Sequence, residues 1–254
     1  MTDVKPKKQL GQHFLHDKNI AQKIVNLLED APVIMEVGAG MGILSAYLQE
    51  KFKEKMMYFD VDAESVKYLV DKLHLPAEQV FLEDFLKFDF GKIDKEINII
   101  GNFPYNISSQ LFFKILENKS KVDQVVCMIQ KEVAQRIAAS EGSKTYGILS
   151  VLLQTFYDIK YQFTVNENVF IPPPKVKSAV IELRRNKVNS IGCSEKLYFN
   201  VVKAAFNQRR KVLSNSLAGI VAKEHIPQNF ITKRPEQLNV NEFIELTCTI
   251  EKVI

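Results

Sequence analysis

A buried strand, five residues of unusual chemistry and then a helix constrain the fold of this chain more than any other stretch. The apolar, β-branched run 96–101 is typical of a strand that is covered on both faces. Residues 107–116 repeat apolar side chains at helical spacing. Between them stands Asn102-Phe103-Pro104-Tyr105-Asn106. This order predicts an α/β protein in which the five residues follow the carboxyl end of a strand, where open sheets bind ligands.

These five residues suit a flat base that carries an exocyclic amine. The amide oxygen of Asn102 is a neutral acceptor, and Phe103 can offer its carbonyl as a second one because the residue before proline is extended. Tyr105 supplies a ring for stacking, and its hydroxyl is not needed for that role. Two acceptors on the amine favour a pyramidal nitrogen whose lone pair is free to attack. An ordinary β-to-α turn is the alternative, since Asn and Pro are common there.

Candidate ligand-binding residues follow three other predicted strands. The strand 33–37 leads into the glycine loop 38–42, where backbone N–H groups can approach a ligand closely. The strand 56–60 ends in Asp60, at the distance from the glycines where an acid accepts hydrogen bonds from ribose hydroxyls. Asp84 follows the next strand and is either an acceptor for a base amine or a turn residue. Because all follow strands of one sheet, we expect them on one rim.

The N-terminal segment and a proline-rich loop are both expected to pack on the body of the protein. Residues 7–15 are basic and then partly apolar, which favours docking over disorder, and Asp17 is expected to cap the next helix. The three prolines 172–174 stiffen the loop after Phe170. Phe170 then either stacks on a base from an exposed position or plugs the space under the loop.

The C-terminal quarter carries the excess positive charge of the chain. Residues 186–254 contain ten Lys/Arg and six Asp/Glu, which leaves 24 of each for residues 1–185 out of totals of 34 and 30. Arg209, Arg210 and Lys211 are adjacent in this helical region. The distribution indicates binding to a polyanion, with a solvated basic face as the alternative.

Composition and spacing argue against several other classes. The 254 residues are 46% hydrophobic and 25% charged, as in globular proteins, and no apolar run is long enough to predict a membrane span. The first residues lack the apolar core of a secretory signal. Three distant cysteines and four scattered histidines show no metal-ligand spacing, so we expect no metal and a cytoplasmic protein.

Taken together, the motifs resemble those of the rRNA adenine N6,N6-dimethyltransferases, from about residue 7 to near the C-terminus. The motifs that carry the resemblance are Gly-Gln-His-Phe-Leu (11–15), Glu-Val-Gly-Ala-Gly-Met-Gly (36–42), Asp60, Asp84, Asn-Phe-Pro-Tyr-Asn-Ile-Ser (102–108) and Phe-Ile-Pro-Pro-Pro-Lys-Val (170–176). The three prolines and Asn-Gln-Arg-Arg-Lys (207–211) are more similar to the housekeeping small-subunit enzymes than to the antibiotic-resistance relatives that act on large-subunit rRNA.

The resemblance implies a Rossmann-like class I methyltransferase domain with a seven-stranded, mostly parallel sheet over residues 1–185. A small all-helical RNA-binding domain would follow over residues 186–254. The implied methyl donor is S-adenosylmethionine, and the implied partner is small-subunit (16S) rRNA in an immature ribosomal subunit, bound by a monomer. The implied reaction dimethylates N6 of two adjacent adenosines in a 3′-terminal hairpin during ribosome biogenesis.

The resemblance also implies roles for individual residues. Cofactor-contacting positions correspond to His13, Leu15, Gly38, Gly40, Asp60, Asp84 and Asn102. Positions at the reacting base correspond to Asn102, Phe103, Tyr105 and Phe170, and the RNA-binding cations are Arg209, Arg210 and Lys211. Three departures stand out, because the family often has Asn at position 13, Glu at position 60 and Leu at position 103.

Two competing functions share part of this pattern. A nicotinamide oxidoreductase would have the glycine loop and the acid, but its third glycine would come three residues after the second rather than two. It also has no use for Asn-Phe-Pro-Tyr. A non-catalytic RNA-binding descendant of the family would keep the fold and the basic patch, and a test for methyl transfer would separate it from an enzyme.

Overall fold

The computed structural model describes residues 4–254, which form two compact units. The first unit comprises residues 4–134 and 159–185, and the second comprises residues 135–158 and 186–254. The boundary after Arg185 coincides with the one expected from the sequence. Residues 135–158 differ from that expectation, since they belong to the helical unit. The Thr155 hydroxyl, for example, hydrogen-bonds to the Tyr198 hydroxyl at 2.8 Å in the interior of that unit.

A seven-stranded sheet forms the centre of the first unit, as predicted. The strands along the chain are β1 (Phe14–Leu15), β2 (Val33–Val37), β3 (Met56–Asp60), β4 (Val80–Leu82), β5 (Ile97–Asn102), β6 (Val122–Gln130), β7 (Tyr157–Val165), β8 (Phe170–Ile171) and β9 (Ser178–Arg185). Seven of them pair in the order β4-β3-β2-β5-β6-β9-β7. The neighbours from β4 to β6 are parallel, and β9 is antiparallel to β6. β1 and β8 form a separate antiparallel pair.

The helices of the first unit follow the strands in the predicted alternation. They are α1 (Lys18–Leu27), α2 (Ile43–Phe52), α3 (Ala63–Asp71), α4 (Ser108–Glu117) and α5 (Lys131–Ile137), which continues into the second unit. The predicted cap of α1 is present, because Asp17 accepts a hydrogen bond from the Ile20 N–H at 3.0 Å. Asp62 caps α3 in the same way. Fully buried Ile34 and Val126 belong to the core that α1 and α2 cover.

The second unit is helical and has its own aromatic core. Its helices are α6 (Ile148–Phe156), α7 (Glu195–Asn207), α8 (Leu213–Ser216), α9 (Gln228–Ile231) and α10 (Val240–Glu251). A capping box starts α10, since Asn239 and Glu242 exchange side-chain to backbone hydrogen bonds of 2.9 Å. Phe206 lies against both Tyr146 and Phe243. Across residues 4–254, no helix is both long enough and apolar enough to cross a membrane.

The strand order reverses between β2 and β5, and the two strands approach so closely there that a side chain does not fit. A Cβ added to Gly101 would lie 2.3 Å from the Val37 carbonyl oxygen. Gly101 therefore lets the Gly38 loop and the Asn102 segment lie side by side. Reversal points of this kind are where open α/β sheets bind ligands.

We expect Gly101→Ala to destabilise the first unit by about 3 kcal/mol, the upper end of the range for overpacking. The reason is that the added methyl group clashes with the backbone carbonyl of Val37, which cannot rotate away. Urea denaturation measures the free energy of unfolding. Gly219→Ala is the matched control, since an added Cβ there meets no atom within 4 Å. Equal stability of the two variants would show that β2 and β5 can separate without cost.

Candidate active site

One pocket opens at the carboxyl ends of β2, β3 and β5 in the first unit. Most of the residues predicted from the sequence to be functional line it: His13, Leu15, Gly38, Gly40, Asp60, Asp84, Asn102, Phe103 and Tyr105. Phe170 does not line this pocket, and the basic residues 209–211 belong to the second unit. Within residues 4–254, no cluster of three His, Cys, Asp or Glu side chains is placed to hold a metal ion.

The glycine loop owes its shape to a left-handed backbone at Gly38 and Gly40, whose φ angles are 73° and 56°. Space is restricted as well, because a Cβ on Gly40 would lie 3.0 Å from the Phe14 ring. The Gly40 N–H donates to Oδ2 of Asp60 at 2.8 Å. This hydrogen bond holds the glycine loop against the end of β3, and residues 38–41 of the loop line the pocket.

Asp60 is buried, and both of its carboxylate oxygens already accept backbone hydrogen bonds. Oδ1 accepts from the Asp62 N–H at 2.8 Å, and Oδ2 accepts from Gly40. Burial raises the pKa of Asp60, while these N–H donors oppose the rise. Each carboxylate oxygen has a second lone pair. Asp60 can therefore accept from a ligand hydroxyl while it also shapes the glycine loop.

Asn102 is oriented by the N-terminal segment. Its Nδ2 donates to the carbonyl of His13 at 2.9 Å, which leaves the amide oxygen as the group that can accept from a ligand. The His13 Nδ1 lies 2.8 Å from the Pro172 carbonyl, so Nδ1 carries the proton. The His13 ring stacks on Tyr105 with 5.4 Å between the ring centroids. His13 thus links the Asn102 amide, the Tyr105 ring and the proline-rich loop that follows Phe170.

The hydroxyl of Tyr105 has a structural partner, apart from the stacking role expected of the ring. It hydrogen-bonds to the hydroxyl of fully buried Ser178. Burial raises the pKa of Tyr105, so the group is a neutral phenol. Replacement by Phe would leave the Ser178 hydroxyl without this partner inside the protein, which costs stability.

Two aromatic residues assigned to the base pocket are buried in the core instead of exposed to a ligand. Phe103 has no exposed surface, and its ring packs against Phe112. Phe170 is 2% exposed and belongs to the hydrophobic core. Of the two roles considered for Phe170, the structure supports the hydrophobic plug under the loop. The alternative prediction, an exposed ring that stacks on a base, is wrong.

Asp84 and Arg209 both make contacts within the protein. Asp84 is half-buried, its Oδ1 accepts from the Leu86 N–H at 3.0 Å in a turn contact, and its Oδ2 lies 3.9 Å from the Lys87 ammonium. Arg209 donates to the Ser143 carbonyl at 3.1 Å and lies 3.9 Å from the Glu236 carboxylate. Arg210 and Lys211 are exposed. The exposed cations are therefore the better candidates for contact with RNA.

Glu36 is a site residue that the sequence reasoning missed. It lines the pocket and is 1% exposed, and its Oε2 has no hydrogen-bond partner among the described residues. Burial raises its pKa to about 8, with repulsion from Asp60 adding to the rise and Ser45 opposing it. The available signal was one acidic residue inside the apolar strand Val33–Val37. A buried, unpartnered carboxyl in a ligand pocket is typical of a functional group.

We expect Glu36→Gln to stabilise the ligand-free protein more at pH 8.5 than at pH 5.5. Glu36 keeps its proton in the folded state up to about pH 8 but loses it near its ordinary value of 4.5 when unfolded. Stability therefore falls as pH rises between these values, by a few kcal/mol at about 1.4 kcal/mol per pKa unit. Denaturation at both pH values measures the difference. The exposed Glu54→Gln is the control, and the same pH response in both variants would exclude a buried proton at Glu36.

Comparison with known proteins gives a consistent picture over nearly the whole chain. The family model described as ribosomal RNA adenine dimethylase matches residues 4–254. The ribosomal RNA small subunit methyltransferase A of Bacteroides thetaiotaomicron is 50% identical over 99% of this chain and 96% of its own length. The protein of the same name from Flavobacterium johnsoniae is 50% identical over 99% of this chain and 98% of its own.

Solved structures agree with these sequence relatives. A dimethyladenosine transferase from Plasmodium falciparum superimposes with a TM-score of 0.79 and 25% identity over 92% of this chain and 96% of that one. The 23S rRNA methyltransferase ErmE gives a TM-score of 0.69 at 22% identity over 92% and 99%, which shows a shared fold. The match of the family model from residue 4 to residue 254, together with the 50% identical relatives, shows that this chain belongs to the ribosomal RNA adenine dimethylase family.

Proposed function

We propose that this protein transfers methyl groups from S-adenosylmethionine to N6 of two adjacent adenosines in a 3′-terminal hairpin of small-subunit rRNA. The product would be N6,N6-dimethyladenosine, formed in the cytoplasm on an immature ribosomal subunit bound by a monomer. The observation that carries the proposal is Asn102, whose amide oxygen is oriented by the His13 carbonyl in the pocket that also holds the glycine loop. The names of the half-identical relatives favour the small subunit over the large one as the source of the substrate.

The residues of the pocket fit the proposed methyl donor. The left-handed Gly38 and Gly40 leave room for a ligand to approach the backbone, and Asp60 can accept from ribose hydroxyls. The unpartnered carboxyl of Glu36 suits a ligand that carries positive charge or N–H donors. When bound, S-adenosylmethionine would supply an electrophilic methyl group on a sulfonium.

The protein would contribute positioning and electrostatics rather than a covalent intermediate. The Asn102 oxygen and the Phe103 carbonyl would accept from the two hydrogens of the adenine amine, which leaves the nitrogen lone pair free to attack. These acceptors are worth most as positive charge develops on that nitrogen. Tyr105 would stack on the base, which must leave its own stack in the RNA to reach the pocket. No strong base is required, since the amine becomes acidic once it is alkylated.

One experiment tests the proposal directly. Unmethylated small ribosomal subunits are incubated with the protein and isotopically labelled S-adenosylmethionine, and the rRNA is mapped by mass spectrometry. We expect label on two adjacent adenosines as dimethyladenosine. Binding of the particles without any label would favour a non-catalytic RNA-binding protein, and label on large-subunit RNA alone would favour the other branch of the family.

We expect Asp60→Ala to weaken binding of S-adenosylhomocysteine by about 1.5–3 kcal/mol, the range for hydrogen bonds to a charged group. Isothermal titration calorimetry measures the affinity. Asp71→Ala is the control, because Asp71 is exposed at the end of α3 and does not line the pocket. Equal affinities of the two variants would mean that Asp60 does not contribute to ligand binding.

We expect Asn102→Ala to lower the single-turnover rate of adenine methylation by about 10²–10³-fold, the usual effect of losing one preorganised group. The fold should survive, since Asn102 is half-buried and makes one side-chain hydrogen bond. The assay uses saturating cofactor and small subunits. Asn19→Ala, an exposed change in α1, is the control. A near-normal rate for Asn102→Ala would contradict the mechanism.

We expect Arg210→Ala with Lys211→Ala to weaken rRNA binding and to flatten its dependence on salt by about 0.7–0.9 slope units per lost phosphate contact. Arg209 is left intact because it makes contacts inside its own unit. Filter binding across a salt series measures the slope. Lys223→Ala with Lys252→Ala removes the same charge from exposed positions of the same unit. Identical slopes for the two double variants would show that 210 and 211 form a solvated face.

A further inference from the structure

The segment Ile171–Lys177, here named the proline loop, presents an unusual surface beside the pocket. Ile171 is 44% exposed and Val176 is 46% exposed, on either side of three consecutive prolines. Lys175 and Lys177 are exposed as well, and the loop contains no acidic residue. Aliphatic side chains with adjacent cations, and no carboxylates, match a polyanion that also has apolar surface.

Both ends of the proline loop are attached to elements that carry the active site. At its start, Ile171 pairs with Phe14 in the β1–β8 ladder, and the Pro172 carbonyl accepts from His13. At its end, the Lys177 carbonyl accepts from the Lys131 N–H at 2.9 Å. The next residue, Ser178, bonds to Tyr105. The loop therefore runs from Pro172, which is hydrogen-bonded to His13, to the residue before Ser178, which is hydrogen-bonded to Tyr105. Its prolines limit its motion.

An adenine that enters this pocket leaves a gap in the RNA stack. Proteins that unstack nucleic acid commonly fill such a step with an apolar side chain, and cations hold the flanking phosphates. We propose that the proline loop contacts the RNA that flanks the target adenosine. Ile171 and Val176 pack against the disrupted base step, and Lys175 and Lys177 contact the adjacent phosphates. This inference rests on the proposed function, because it takes the flipped adenosine in rRNA as the substrate.

Photocrosslinking locates the contact. A benzophenone amino acid replaces Ile171 or Val176 and, as a control, Leu82, which is 57% exposed at the end of β4 in the same unit. The labelled proteins are irradiated on unmethylated small subunits, and crosslinked nucleotides are mapped by primer extension. We expect crosslinks from positions 171 and 176 within a few nucleotides of the methylated adenosines, and none there from position 82. Crosslinks only to remote rRNA or to ribosomal protein would overturn the proposal.

Kinetics then separate an active role in base capture from mere proximity. Ile171→Ser with Val176→Ser should slow single-turnover methylation about tenfold, since unstacking loses its apolar support. Binding of S-adenosylhomocysteine, measured by calorimetry, should be unchanged and shows that the pocket is folded. A rate equal to that of the Leu82→Ser control would rule out the apolar contact.

Lys175→Ala with Lys177→Ala should reduce the salt slope of rRNA binding by roughly 0.7–0.9 units per lost contact. Lys67→Ala with Lys72→Ala, two exposed lysines at α3, removes the same charge elsewhere in the unit. Equal slopes for both pairs would rule out phosphate contacts by the loop. The wild-type protein is assayed on the same particles. Absence of methylation by wild type would refute the proposed function itself, whereas a failure confined to the loop variants refutes only this inference.

Discussion

The site depends on the short antiparallel contact between β1 and β8. This contact holds the N-terminal segment against the proline loop, with Leu15 opposite Phe170. His13 is thereby placed so that its carbonyl accepts from Asn102 and its ring lies on Tyr105. Without the contact, the Asn102 amide would be free to rotate, and its oxygen would have no preferred direction. Two residues of strand pairing thus set the orientation of the group that the proposed chemistry needs most.

The charges of the pocket are arranged at a cost that a suitable ligand would reduce. Burial raises the pKa of both Glu36 and Asp60, and repulsion from the Asp60 carboxylate adds to the rise at Glu36. Hydrogen bonds from the Gly40 and Asp62 N–H groups partly offset the cost of burying the Asp60 carboxylate, whereas one oxygen of Glu36 has no hydrogen-bond partner among the described residues. A ligand that brings positive charge or donors into the pocket would stabilise the ionised form of such a pair. S-adenosylmethionine has both.

The two surfaces proposed to contact RNA differ in kind. The exposed Arg210 and Lys211 of the helical unit can supply sequence-independent attraction to phosphates. The proline loop of the first unit combines lysines with exposed Ile171 and Val176 beside the pocket. Arg210 and Lys211 would raise the overall affinity for RNA, and the proline loop would support the local distortion that exposes one base. A substrate whose target is normally stacked requires both kinds of contact.

The order of strands, glycine loop, acids and Asn-Phe-Pro-Tyr was sufficient to predict the sheet and the rim that carries the pocket, and Asp17 was predicted as the cap of α1. Such features are local, because periodicity and capping act over a few residues. The sequence could not show that Phe103 and Phe170 are buried, since exposure depends on what packs from distant segments. It also could not show that residues 135–158 join the helical unit or that Arg209 bonds within it. Those outcomes, like the unpartnered carboxyl of Glu36, arise from long-range packing, which only the tertiary structure decides.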